Sequence, residues 1–193
     1  MSLRNDLQLI YDWIPEKSHV LDLGCGDGAL LSALTQSKQC TGYGIEINAN
    51  RVQAAIERGI NVIQADLERG LTTFGDQSFD VIVLSQTIQA MQNTENILRD
   101  LTRVAKQAVV SFPNFGYWRN RLQIALGGHM PVSERMPYQW YNTPNIHWCT
   151  LHDFDALCAK NNIRVLERAV MTAGKRIETL PNLMGSLAFY RVG

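Results

Sequence analysis

VLDLGCGDGALL, residues 20–31, sets three glycines within five positions directly behind an apolar run. Followed by Leu30, Leu31 and Leu34 at helical spacing, it reads as strand, turn and helix. Glycine permits positive φ in such a turn and removes the Cβ that would hold a ligand off the backbone. A ligand is therefore expected over the C-terminal edge of the first strand. The glycines alone leave its identity open, because Gly24-Cys25-Gly26-Asp27-Gly28-Ala29 also satisfies the dinucleotide fingerprint.

On either side of this stretch, strand-like and helical patterns alternate. His19–Leu23, Thr41–Ile45, Asn61–Ala65, Phe79–Leu84 and Ala108–Phe112 read as five strands. Between them lie a helix over 48–58, with Gly59 where a C-cap glycine belongs, and another starting near Thr94, the expected N-cap. Strands this continuous in Val, Ile and Leu are buried on both faces, which predicts a parallel sheet covered by helices. From Pro113 the regularity breaks, and about 113–149 reads as an insertion rich in Pro, Gly, Asn and aromatics. Thr150-Leu151-His152-Asp153 then predicts a capping box for a helix. Ile163–Glu167 and Ser186–Val192 complete seven strands, separated by the loop MTAGKRIETLPNLMG. The expected fold is α/β: a doubly wound, mostly parallel seven-stranded sheet in a single domain over residues 1–193.

Three acids narrow the ligand. Asp22 ends strand one, Glu46 ends strand two and Asp66 ends strand three. Carboxylates at Asp22 and Asp27 would repel a pyrophosphate, whereas they suit the ammonium and sulfonium of S-adenosylmethionine (SAM). Glu46 is placed to accept from ribose hydroxyls, an acid expected with SAM and NAD alike. Asp66 is placed to accept from an adenine amino group, with Leu67 offering an apolar contact to the ring.

VLDLGCGDGALL, GYGIEIN, VIQADL and FDVIVLSQTI together resemble the motifs of class I SAM-dependent methyltransferases, whose Rossmann-like sheet has seven strands with the last antiparallel. The resemblance narrows through VVSFPNFGYWRNRLQ and MPVSERMPYQWYNTPNIHWCTLHDF, which are similar to the MetW family of methionine biosynthesis. It implies a site for SAM or S-adenosylhomocysteine (SAH) at Asp22, Gly24, Cys25, Gly26, Glu46, Ile47, Ala65, Asp66, Leu67, Ser85 and Gln86. Ser85 and Gln86 are expected near the methionine end of the cofactor. The resemblance also implies a role beside homoserine O-acyltransferase (acetyl- or succinyltransferase), as a regulatory or accessory subunit. The alternative is a stand-alone SAM-dependent small-molecule methyltransferase; an NAD-dependent reductase would lack both a catalytic dyad and a second domain.

No catalytic residue is assigned. The candidate general bases are His129, Glu134, Tyr141, His147 and His152, and no spacing singles one out. His147-x-Cys149-x-x-His152 invites a metal, yet the spacing is not that of a helix pair or a zinc knuckle and a fourth ligand is not evident, so none is expected. Trp118, Trp140, Tyr141 and Trp148 suit an acceptor pocket, a partner surface or burial under the sheet edge.

Composition agrees with a folded chain: 193 residues, 46% apolar and 19% charged. Eighteen basic residues balance eighteen acidic ones, which leaves no electrostatic footprint for nucleic acid. No run of about 18 apolar residues occurs, so no membrane span is expected. MSLRNDLQLIYDWIP carries Arg4 and Asp6 where a signal peptide needs apolar residues, and reads instead as an amphipathic helix with Leu3, Leu7, Ile10 and Ile14 on one face. The four cysteines have no CxxC or framework spacing, and a reducing cytoplasm is the expected location.

Overall fold

The computed structural model describes residues 3–69 and 71–193, Arg69 through its backbone. Met1 and Ser2, where the N-terminal pattern begins, lie outside the described residues. Helix α1 (Asn5–Trp13) precedes β1 (His19–Leu23), α2 (Ala29–Lys38), β2 (Thr41–Glu46), α3 (Ala49–Glu57) and β3 (Val62–Gln64). A 3-10 turn at Leu67–Arg69 leads to β4 (Phe79–Ser85), and a second at Ile88–Ala90 leads to α4 (Thr94–Val104) and β5 (Ala105–Pro113). Beyond it lie α5 (Trp118–Gly127), α6 (Leu151–Lys160), β6 (Val165–Thr172), β7 (Lys175–Arg176), α7 (Pro181–Met184) and β8 (Leu187–Val192).

The strands form one sheet in the order β3-β2-β1-β4-β5-β8-β6-β7. The β1–β2, β1–β4, β2–β3 and β4–β5 pairs are parallel, while β8 runs antiparallel to both β5 and β6. Chain order reverses between β1 and β4. The loops leaving these two strands diverge there, and the crevice between them is where open α/β sheets hold ligands.

Alternation along β1 explains why both faces are covered. Val20 joins a core with Ile10 of α1, Ile14 just past its end, and Leu30, Leu31 and Leu34 of α2. Leu21 and Leu23 face the opposite core, with Leu98 and Leu101 of α4 and Phe154 of α6. Ile10 and Ile14 are fully buried, each contributing about 1.5–3 kcal/mol through apolar burial. The doubly wound reading holds, as does the antiparallel last strand.

Eight strands replace the expected seven. Ala173 and Gly174 both take positive φ, the requirement of a two-residue hairpin turn, so Lys175–Arg176 folds back onto Met171–Thr172 as β7. What reads in the sequence as the start of a loop is a tight hairpin. The insertion also contains a helix the composition hides: α5 shows no apolar stripe because Leu122, Ile124 and Leu126 are all exposed. At α4 the N-cap is Asn93 rather than Thr94, whose hydroxyl donates to the Met91 carbonyl at 3.1 Å. The capping box at Thr150 and Asp153 forms as expected, and Gly59 takes φ +78° just past α3.

Candidate functional site

The glycine loop is held from below by β2. The Gly24 and Cys25 N–H groups both donate to the Ile45 carbonyl, at 2.8 and 3.1 Å. Gly24, Gly26 and Gly28 all have positive φ, and a Cβ on Gly24 would stand 2.7 Å from Thr87 Oγ1. No atom lies within 4 Å of where a Gly26 Cβ would be, so the backbone there faces open space. Glu46 locks the arrangement. Its Oε2 accepts from Gly26 N–H at 3.0 Å, and its Oε1 accepts from Ile47 and Asn48 N–H at 2.9 Å each. Only 4% of Glu46 is exposed, and Arg51 approaches Oε2 at 3.9 Å.

Asp22 is equally buried, at 4% exposure, but nothing among the described residues hydrogen-bonds its carboxylate. Burial, and secondarily the nearby Glu46 charge, push its pKa up to about 7. The same burial, with Asp22 and Glu46 beside it, pushes the Cys25 thiol up to about 12 and keeps it protonated. An unpaired buried carboxylate facing a cavity is an anionic point awaiting a cation.

The end of β4 supplies the opposite edge. Ser85 Oγ lies 3.1 Å from Ser111 Oγ, and Gln86, at φ +51°, donates its N–H to the Ser111 carbonyl at 2.8 Å. The Gln86 side chain donates to Asp6 Oδ2 at 2.8 Å, and Arg4 grips the same buried carboxylate through two bonds of 3.2 and 3.0 Å. Asp6 escapes a reading of the sequence as a site residue; its one signal is an acid placed on the apolar stripe of α1. Asp22, Gly24, Cys25, Gly26, Ser85 and Gln86 together line a cavity of about 750 Å³. Arg4, Arg51, Glu134, Arg135, Tyr138 and Asn145 are also on its wall, and the last four come from the insertion.

The other expected contacts lie elsewhere on the same sheet edge. Glu46 sits beneath the loop rather than on the cavity wall, and Ile47 is 62% exposed. Ala65 N–H donates to the Glu46 carbonyl at 3.2 Å, which keeps this segment beside β2. Asp66 is exposed and accepts from Glu68 N–H at 2.9 Å, opening the 3-10 turn, while Leu67 packs against the core and lines a separate 260 Å³ cavity.

Of the candidate bases, Glu134 alone reaches the 750 Å³ cavity among the described residues. His147 lines a second cavity of about 570 Å³ between α4 and α6, its Nε2 lying 3.4 Å from the Gln92 carbonyl. His152 lies beside Asn182, and burial pushes the Cys149 thiol up to about 12. Among the described residues no group of three His, Cys, Asp or Glu side chains could hold a metal, and no helix is long and apolar enough to cross a membrane. The aromatics divide: Trp148 packs against Phe115 at 5.3 Å between centroids, whereas Trp140 and Tyr141 are 72% and 70% exposed.

The fold has close counterparts among solved structures. A SAM-dependent methyltransferase from Mesorhizobium loti superimposes with a TM-score of 0.72 over 98% of this chain and 97% of that one, at 15% identity. A possible histamine N-methyltransferase from Thermotoga maritima gives 0.69 over 97% and 86%, at 18% identity. The methyltransferase in a complex with the Trm112 activator from Haloferax volcanii gives 0.68 over 97% and 88%, at 15% identity. Likeness at these identities speaks for the fold alone. In sequence, the chain is 35% identical over 207 aligned residues to the bifunctional methionine biosynthesis protein MetXA/MetW of Rhodopirellula baltica. That alignment covers 99% of this chain and 33% of the relative, so the chain spans about a third of the length of the curated relative it matches. The family model of methionine biosynthesis protein MetW matches residues 4–192, and the chain belongs to that family.

Proposed function

We propose that the chain binds SAM or SAH in the 750 Å³ cavity and serves methionine biosynthesis as a SAM-responsive subunit of homoserine O-acyltransferase. The observation that carries the cofactor reading is the unpartnered Asp22 carboxylate beside open backbone at Gly26. A buried anion is matched by an ammonium or sulfonium and opposed by a pyrophosphate. Gly24, Cys25 and Gly26 form the rest of that end, with Ser85 and Gln86 toward the cofactor's methionine. Ile47, Ala65, Asp66 and Leu67, which continue the sheet edge beyond that cavity, serve the adenine side, and Glu46, beneath the loop with one lone pair still free, serves the ribose. Residues 1–193 act in this reading as one SAM-binding domain carrying the 113–149 insertion.

The partner reading is supported by the relative whose name joins MetXA and MetW in one chain. It is supported also by the apolar exposure of the insertion, where Leu126, Trp140 and Tyr141 are largely exposed. Stand-alone methyl transfer remains the second reading, favoured by the presence of Glu134, a carboxylate able to act as a base, on the cavity wall.

Calorimetric titration with SAM, SAH and NAD tests the cofactor. Micromolar or tighter binding of SAM and SAH is expected, with no heat from NAD; the reverse pattern overturns the reading. Asp22→Ala weakens SAM binding by roughly 1–3 kcal/mol, the loss of a bond to a charged group. Assaying the acyltransferase with and without this chain, across a SAM titration, tests the partnership. Acyltransferase turnover indifferent to the chain refutes it.

A further inference from the structure

Residues 133–136 of the insertion form a two-residue hairpin aimed at the cavity. Ser133 and Met136 exchange both backbone hydrogen bonds at 3.0 Å, which leaves Glu134 and Arg135 at the tip. The hairpin is braced on α5, where Gln123 bonds Val132 in both directions, at 3.3 and 3.1 Å. Pro131 and Met136 are buried and anchor its flanks. This tip is positioned by structure rather than left loose in solvent.

Three arginines line the cavity, and they are not equivalent. Arg4 is engaged by Asp6, and Arg51 lies 3.9 Å from Glu46. Arg135 is half-buried, and no acid among the described residues pairs with it. Among the described residues the cavity therefore has an uncompensated buried anion at Asp22 and, beside the solvent-exposed and equally unpaired Glu134, an uncompensated half-buried cation at Arg135. A guanidinium presents a planar fork that matches a carboxylate through two parallel bonds. The chemical complement of the two ends is a zwitterion bearing ammonium and carboxylate.

We propose that Arg135 is a carboxylate clamp, recognising the α-carboxylate of an amino-acid group while Asp22 faces its ammonium. The inference rests on the cofactor reading for its preferred ligand, the amino-acid tail of SAM or SAH. It gives the insertion a role in ligand selection as well as in any contact with a partner. A free amino acid offers the same chemistry, and the test separates the two sources.

The experiment compares the affinity of the intact chain, Arg135→Ala and Arg135→Lys for SAH, 5′-methylthioadenosine and free L-methionine. Methylthioadenosine keeps the nucleoside and lacks the amino-acid tail. Arg135→Ala is expected to weaken SAH by roughly 10- to 100-fold, leaving methylthioadenosine unchanged. Arg135→Lys, which keeps the charge without the fork, recovers part of that loss. Unchanged SAH affinity in Arg135→Ala overturns the clamp, and so does equal weakening of SAH and methylthioadenosine, which would mark Arg135 as a loop support. Binding of methionine alone that needs Arg135 identifies a free amino acid as a ligand of the clamp. If neither nucleoside binds the intact chain, the cofactor reading fails by itself. The clamp is then retained by Arg135-dependent methionine binding and removed by its absence.

Discussion

At the end of β2, Glu46 is buried and accepts three backbone N–H bonds, whereas on the insertion side of the cavity Glu134 and Arg135 have no charge partner among the described residues. Both regions are polar and both adjoin one cavity. The β2 side spends its carboxylate on holding the glycine loop, so its charge is structural before any ligand arrives. The insertion side keeps its charges available, supported by a hairpin and a helix that bury little. The difference separates rigid scaffold from adaptable recognition: local stability is high where groups satisfy each other and low where they wait for a ligand or partner.

Asp22 breaks the pattern of the first region, and replacing it is expected to have the largest effect on stability. As a carboxyl raised to about 7, it binds a proton in the folded chain that the unfolded chain has lost above its ordinary range. Stability from this group is therefore greatest below about pH 4, falls as pH rises toward 7, and is level above that. Asp22→Asn should stabilise the ligand-free chain by up to about 4 kcal/mol at pH 8 and by little at pH 4, read by urea unfolding at both. The same proton sets the binding profile. Affinity for cationic SAM should drop by up to about tenfold per pH unit below 7, because the charged ligand needs the charged carboxylate.

Glu46→Gln probes the satisfied carboxylate. It leaves a carboxamide against three backbone N–H donors and should cost about 3 kcal/mol, with loosened hydrogen-exchange protection at Gly26, Ile47 and Asn48. Gly24→Ala should cost about 2 kcal/mol, from positive φ and the displaced Thr87 hydroxyl. Both losses would appear as lower denaturation midpoints at unchanged slope.

Substitutions in the insertion should be nearly silent in stability. Trp140→Ala and Leu126→Ala are expected within about 0.5 kcal/mol of the parent, since both side chains are exposed. Their effect should fall on co-purification with the acyltransferase. A large loss of stability from either would show that the two regions are less different than their hydrogen bonding implies.

Much of the site is legible in the sequence because its signals are local. Glycines at 24, 26 and 28 announce a turn, and the acids Asp22 and Glu46 fall at the ends of β1 and β2 as their strand patterns predict, whereas Asp66 lies two residues past the end of β3. Asp6 and Arg135 are harder to read. Asp6 meets Gln86 eighty positions away, and Arg135 is one charge among several in a stretch whose composition gives no period. The β7 hairpin is missed for a related reason: Ala173 takes a positive φ that alanine seldom adopts, imposed by pairing with the end of β6.

The α/β alternation, the parallel sheet, the glycine turn and the family are written in the order of residues, since period, turn chemistry and motif spacing are properties of neighbours along the chain. Which charges are satisfied emerges only in the folded chain. Glu46, Asp22 and Arg135 are all ordinary ionic residues on paper. Only folding sets one against three N–H donors, buries the next without a partner and holds the third over the cavity. Desolvation and pairing depend on what lies across space, and a linear pattern does not encode that directly.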